Sequence, residues 1–100
     1  MIEFVVKLSR SDRKGKKYVA VIRNRRTGKE RLIHFGSSAH DQFRDNTGLG
    51  VYSHRDHLDT KRRARYYNRH SGVKTKQKAL KIESRSGLIT AKLLSHRYLW

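Results

Sequence analysis

The chain has 100 residues, of which 25 are lysine or arginine and only 8 are aspartate or glutamate, so its formal net charge is +17 at pH 7. A chain of this length builds one small core, and the lack of cysteine excludes disulfides and thiolate metal sites. No apolar run approaches the roughly 20 residues of a membrane span, and the first residues lack the order of a signal peptide. We therefore expect one domain, residues 1–100, acting inside a cell or a particle against a polyanion or an acidic protein surface.

Residues 1–36 are predicted to form a small antiparallel three-stranded β-meander. In the first strand, IEFVVKL, alternation places the even-numbered residues from Ile2 to Leu8 on one face and Glu3 with Lys7 on the other. The second and third strands, KYVAVIR and ERLIHF, are rich in β-branched and aromatic residues. The short segments SRSDRKGK and NRRTGK supply the two reversals, with Gly28 suited to a turn.

The remainder of the chain is predicted to be mainly helical, which gives an α+β fold: the meander, then one basic helix, then a C-terminal apolar helix. Residues 37–52 form a loop, and the basic helix covers 53–71, beginning near Ser53 or Asp59 and ending before Gly72. Residues 72–86 are a basic connection in which KALKI forms a short strand or a helical turn. Residues 87–100 form the apolar segment, whose Trp100 either closes this domain's core or docks on a neighbour.

Three blocks of sequence carry a recognisable pattern: KKYVAV with IHFG, HLDTKRRARYYNRH, and AKLLSHRYLW. Together they resemble a family of small, basic, uncharacterised proteins of large double-stranded DNA viruses, such as phycodnaviruses and mimiviruses. The resemblance implies an origin in a large virus. The residues that carry the family motif are His34, Phe35, Gly36, His57, Asp59, Tyr66, His70 and Trp100.

Basic residues concentrate in three stretches, 10–17, 23–31 and 55–69. Arginine suits phosphates and carboxylates because its planar guanidinium donates two parallel hydrogen bonds, and neighbouring tyrosines can stack on bases. No signature of base-specific reading is present, so any nucleic-acid binding is expected to depend on the backbone. The predicted polyanion- or partner-binding residues are Arg25, Arg26, Arg55, Lys61, Arg62, Arg63, Arg65 and Arg69.

Metal binding and catalysis are not predicted. A zinc site without cysteine would need several of the six histidines together with Asp56 or Asp59, and no such spacing recurs. The eight carboxylates contain no evident acid–base pair, and a nuclease built on His57, Asn68 and His70 would lack a metal-holding signature. We therefore expect no enzyme activity, no cofactor and no small-molecule substrate.

The charge and the viral resemblance together favour a basic structural protein of a large DNA virus particle, of the minor capsid or cement type. Such a protein would bind acidic surfaces of larger capsid proteins in the virion, after synthesis in the host cytoplasm or nucleus. The alternative is a sequence-nonspecific nucleic-acid-binding protein, associated with the genome or with a ribonucleoprotein.

Overall fold

The computed structural model describes residues 1–100 and has the α+β architecture expected from the sequence. The strands pair in the order β1-β2-β3, and both pairs are antiparallel. One further helix lies where a connection was predicted. The elements are β1 (Glu3–Arg10), β2 (Lys16–Asn24), β3 (Glu30–Ser37), a 3-10 turn (Ser53–Arg55), α1 (Thr60–Ser71), α2 (Lys76–Glu83) and α3 (Ala91–Tyr98).

The predicted alternation of β1 is wrong, because the strand contains a bulge. The register shifts between Val5, which pairs with Ile22, and Lys7, which pairs with Val21. The extra residue reverses the side of the sheet that the following residues face. Val5 and Leu8 therefore pack against the core, whereas the side chain of Val6 is 41% exposed.

Glu3 was predicted to face away from the core, but its side chain is only 6% exposed. Its carboxylate accepts hydrogen bonds from Nε and Nη2 of Arg31, each at 2.8 Å, and from the backbone N–H of Ile89 at 2.8 Å. The bonds from Arg31 are the main reason that the pKa of Glu3 falls to about 2, although burial opposes the shift. Glu3 therefore joins two strands to the segment that leads into α3.

The main core lies between one face of the sheet and α3. Every second residue of β2 from Tyr18 to Ile22 is buried there, as the period of two requires. The predicted C-terminal helix is present and contributes Leu93 and Leu94, while Leu99 follows it. A smaller cluster is formed by Tyr66, Tyr67 and Ala79, and Trp100 packs against both clusters.

The predicted basic helix is shorter than 53–71. Residues Ser53–Arg55 form a separate 3-10 turn, and α1 begins after Asp59, whose side chain accepts hydrogen bonds from the N–H groups of Lys61 and Arg62. The helix ends at Gly72 as expected. Leu58 falls within the range predicted for this helix, but it lies outside α1 and is 58% exposed.

Within the predicted basic connection over 72–86, KALKI belongs to the helix α2, so the helical alternative is correct and the strand is not. Only Ala79 of this helix is fully buried, and it packs beside Tyr67 in the smaller cluster. A helix with so little apolar surface is stabilised mainly by its contacts with α1 and α3 and has a weak sequence signal. None of the helices has the length and apolar character that crossing a membrane requires.

Candidate functional site

A cleft of about 490 Å³ opens where the start of β2 and the end of β3 meet α1 and α3. Its walls come from four elements that are far apart in the sequence. The side chains fall into two groups, one basic and one apolar or aromatic. The basic group consists of Lys16, Lys17, Arg62, Arg69 and Lys92, and the apolar or aromatic group consists of Phe35, Tyr66, Leu99 and Trp100.

Three basic side chains of the cleft, Lys16, Arg62 and Arg69, lack carboxylate partners, whereas Nζ of Lys92 lies 4.0 Å from Oε1 of Glu83. Asp41 is the only acidic residue in the lining, and its Oδ1 already pairs with Arg55 at 3.2 Å. The side chains of Lys16, Arg62 and Arg69 make no ion pair and no hydrogen bond within the protein. In the whole chain only four ion pairs form, although there are 25 lysines and arginines. Lys16, Arg62 and Arg69 therefore concentrate positive charge in the cleft without an internal counterion.

Lys17 has a structural role at the edge of the cleft. Its Nζ donates to the carbonyl of His40 at 2.7 Å and to Oε1 of Gln42 at 2.5 Å, which ties the 37–52 loop to the sheet. Burial, followed by the nearby guanidinium of Arg55, lowers the pKa of Lys17 to about 8. Burial, followed by the nearby Arg69, lowers the pKa of His70 below its ordinary value and so disfavours a charge there.

The aromatic wall is built from Tyr66 and Trp100, whose rings stack with centroids 4.0 Å apart and planes inclined by 4°. Trp100 thus packs within the domain, which answers the question that the sequence left open. The hydroxyl of Tyr66 is 2.9 Å from Nδ1 of His96, and Nε2 of His96 is 2.8 Å from the hydroxyl of Ser71. Burial is the main reason that the pKa of His96 falls to about 4, so the imidazole is neutral at neutral pH. These bonds fix the orientation of the wall.

Gly36 permits the floor of the cleft to form. Its φ of +78° lies in the left-handed region, and a Cβ there would stand 2.7 Å from Cδ1 of Leu99 and 3.3 Å from Cβ of Lys17. Only glycine accepts both the backbone conformation and this close approach. Leu99 can therefore lie directly against β3.

The structure brings together only part of the predicted binding set. Arg62 and Arg69 lie in the cleft, while Lys61 and Arg65 are exposed on α1 outside it. The other four do not join them. Arg63 lies over the ring of Phe43 with its guanidinium carbon 4.5 Å from the centroid, Arg55 pairs with Asp41, and Arg25 and Arg26 occupy the turn between β2 and β3. That turn is at the opposite end of the nine-residue strand β2, about 25 Å away.

Of the family-motif residues, five line the cleft: Phe35, Gly36, Tyr66, His70 and Trp100. The other three have separate roles. His34 bonds with Ser11 through Nδ1 at 2.7 Å, Asp59 caps α1, and His57 packs beside Trp100 with ring centroids 5.3 Å apart. The buried Nε2 of His57 has no hydrogen-bond partner.

Sequence reasoning did not assign Lys16, Lys17 or Lys92 to a binding site. Lys16 and Lys17 belong to the basic stretch 10–17, so the sequence carried a weak indication that they bind an anion. Lys92 had none, because it sits in a helix recognised by its apolar residues. The structure contains no cluster of three or more His, Asp or Glu side chains that could hold a metal ion.

The comparisons with known proteins do not identify the chain. No family model matches the sequence, and neither a curated protein nor a solved structure is significantly similar to it.

Proposed function

We propose that this protein binds the phosphate backbone of nucleic acid through the cleft and the adjoining face of α1, without reading base sequence. The supporting observation is the convergence of Lys16, Arg62 and Arg69, three cations from two elements that have no partner inside the protein. Cations left unpaired in a folded domain repel one another, and a polyanion relieves that repulsion.

The distribution of charge favours a polymer over a small anion. Lys61 and Arg65 continue the basic surface along α1 beyond the cleft, so one phosphate could not reach every cation. Arginine can also hold a phosphate through two parallel hydrogen bonds, which positions a backbone without specifying its bases. Weak sequence selectivity and a steep dependence of the affinity on salt follow from such contacts.

A pair of matched double variants tests this proposal. Arg62→Gln with Arg69→Gln is expected to weaken binding to a mixed-sequence oligonucleotide at least about tenfold, since two backbone contacts are lost. On single-stranded DNA, the slope of log affinity against log salt is expected to become shallower by roughly 1.4. Affinities would be measured by fluorescence anisotropy of a labelled strand at several salt concentrations.

The control, Arg25→Gln with Arg26→Gln, removes the same charge from the far end of β2 and is expected to keep both the affinity and the slope close to those of the wild type. Equal losses in the two double variants would show that binding depends on total charge and not on the cleft. No measurable binding by the wild-type protein would contradict the proposal itself.

A second candidate function is supported by the uncovered face of the sheet. Among the helices only α3 contacts the sheet, on the side of the core. On the other side Val21 pairs with Leu32, which is 63% exposed. This exposed apolar pair offers a contact for a larger protein. Together with the viral resemblance of the sequence, it supports a minor capsid or cement protein that contacts larger capsid subunits in the virion.

For this second candidate, purified virus particles are expected to contain the protein in stoichiometric amounts, retained in the shell after the genome is released. Leu32→Asp is expected to abolish that retention, because a buried, unpaired charge disfavours the contact. Leu58→Asp places the same charge on an exposed leucine outside the sheet and should leave retention unchanged. Loss of the protein together with the genome would contradict the shell location.

A further inference from the structure

From the two-part lining of the cleft, we infer that it takes one unpaired nucleotide, with the base against the aromatic wall and the flanking phosphates on Arg62, Arg69 and Lys16. The protein therefore prefers single-stranded to double-stranded nucleic acid. This inference rests on the proposed function and names the form of nucleic acid that the cleft accepts.

The lining matches a ligand that is charged on one side and flat and apolar on the other. A phosphate alone would use the three unpaired cations but leave the half-buried ring of Trp100 facing water, beside the buried Phe35 and Leu99. A nucleotide presents both an anionic phosphate and an aromatic base, and base–aromatic stacking tolerates every base because each has a π-face. The cleft thus complements a nucleotide on both sides.

The size of the cleft excludes a duplex from its interior. A volume of about 490 Å³ is within the usual range for a site that encloses a small molecule. In a duplex the bases are stacked and paired, so a base could enter only after it had been flipped out of the helix, at an energetic cost. A single strand does not pay this cost, and its bases are free to enter.

The aromatic wall is already in place before a ligand arrives. Trp100 lies flat on Tyr66, and the hydroxyl of Tyr66 is held by His96, which is completely buried. A side chain fixed in this way loses little freedom when a base packs against it, so more of the contact energy appears as affinity.

Trp100 is the only tryptophan of the chain, so its fluorescence reports on the cleft directly. Three probes of equal length, about 12 nucleotides, separate the possible contacts: oligothymidylate, an abasic strand with the same phosphates, and a mixed-sequence duplex. We expect oligothymidylate to quench Trp100 and to bind at least about tenfold more tightly than either of the other two.

Equal affinity for the abasic strand and oligothymidylate would overturn the inference while leaving backbone binding intact. Equal affinity for the duplex would do the same. If no probe binds, both the inference and the proposed function fail.

A cleft-filling variant gives a second, independent test. Ala91 is exposed and lines the cleft, so Ala91→Phe occupies the space for the base without disturbing the core. It is expected to reduce the affinity for oligothymidylate to that of the abasic strand, whose own affinity stays the same. Ala39→Phe adds the same side chain at an exposed position outside the lining and should retain the wild-type preference. If Ala91→Phe keeps the full preference, the base does not enter this cleft and the inference is wrong.

Discussion

Replacing Gly36 by alanine is expected to lower the free energy of unfolding by about 3 kcal/mol, since a left-handed conformation and overpacking each cost roughly 1 to 2 kcal/mol. The new Cβ would stand 2.7 Å from Cδ1 of the buried Leu99, so one of the two must shift, and 3.3 Å from Cβ of Lys17. Urea denaturation followed by circular dichroism measures the change. Because Leu99 also lines the cleft, the same variant is expected to lose affinity for nucleic acid.

Gly28→Ala is the matched control for this prediction. Gly28 has a similar φ of +71°, but a Cβ at this position would have no heavy atom within 4 Å. It should therefore show only the conformational cost, about 1 kcal/mol. If both variants lose the same stability, the contact between Leu99 and β3 adds nothing, and the floor of the cleft can adjust without penalty.

Glu3→Gln is expected to destabilise the protein by about 2 kcal/mol at neutral pH, because the charged hydrogen bonds from Arg31 are replaced by weaker ones. The control is Glu30→Gln, whose partner Arg23 lies on the surface and whose own side chain is 42% exposed. Such a surface ion pair contributes only about 0 to 1 kcal/mol. A similar loss in both variants would contradict the structural role assigned to the buried carboxylate.

The contribution of Glu3 also has a defined dependence on pH. Its pKa is about 2 in the folded protein and close to the ordinary 4.5 in the unfolded chain. As the pH falls below 4.5, Glu3 becomes protonated in the unfolded chain but stays ionised in the folded protein. The stability that Glu3 contributes above pH 4.5 is therefore lost progressively towards pH 2. The free energy of unfolding of Glu3→Gln should therefore decrease less between pH 4.5 and pH 2 than that of the wild-type protein.

The buried imidazole of His96 affects the stability of the fold at a higher pH than Glu3 does. Its pKa is about 4 in the folded protein against 6.5 ordinarily, so it favours the folded state above pH 6.5 and loses this effect as the pH falls towards 4. The contribution of His96 to the pH dependence of stability is the same in the wild-type protein and in Glu3→Gln. The difference between their unfolding free energies therefore isolates Glu3, and an unchanged difference from pH 5 to 2 would contradict its lowered pKa.

The sheet could be predicted from the sequence because its signals are local. Two short reversals between three β-rich segments leave an antiparallel meander as the simplest arrangement, and the start of α1 is marked by Asp59. The bulge in β1 had only a weak signal, the apolar Val5 on the otherwise polar face of the alternation from Ile2 to Leu8. For α2 the choice between a strand and a helical turn stayed open, because only Ala79 among its residues is fully buried.

The cleft could be predicted only in part. Arg62 and Arg69 stand out because they belong to one dense basic block, but the block does not show which of its arginines face a cavity. Lys16 and Lys92 reach the same place from β2 and α3, and no pattern in a single sequence links residues 76 positions apart. The stacking of Trp100 on Tyr66 depends on tertiary packing in the same way.

The bulge between Val5 and Lys7 has a consequence for how the sheet meets other chains. β1 is an edge strand, and one side of it offers backbone N–H and C=O groups to which a foreign strand could add. The bulge breaks the regular spacing of these groups and twists the strand, while Lys7 places a charge beside the break. Both features disfavour the addition of further strands at this edge of the sheet. They therefore protect a small, highly charged domain against amyloid-type aggregation.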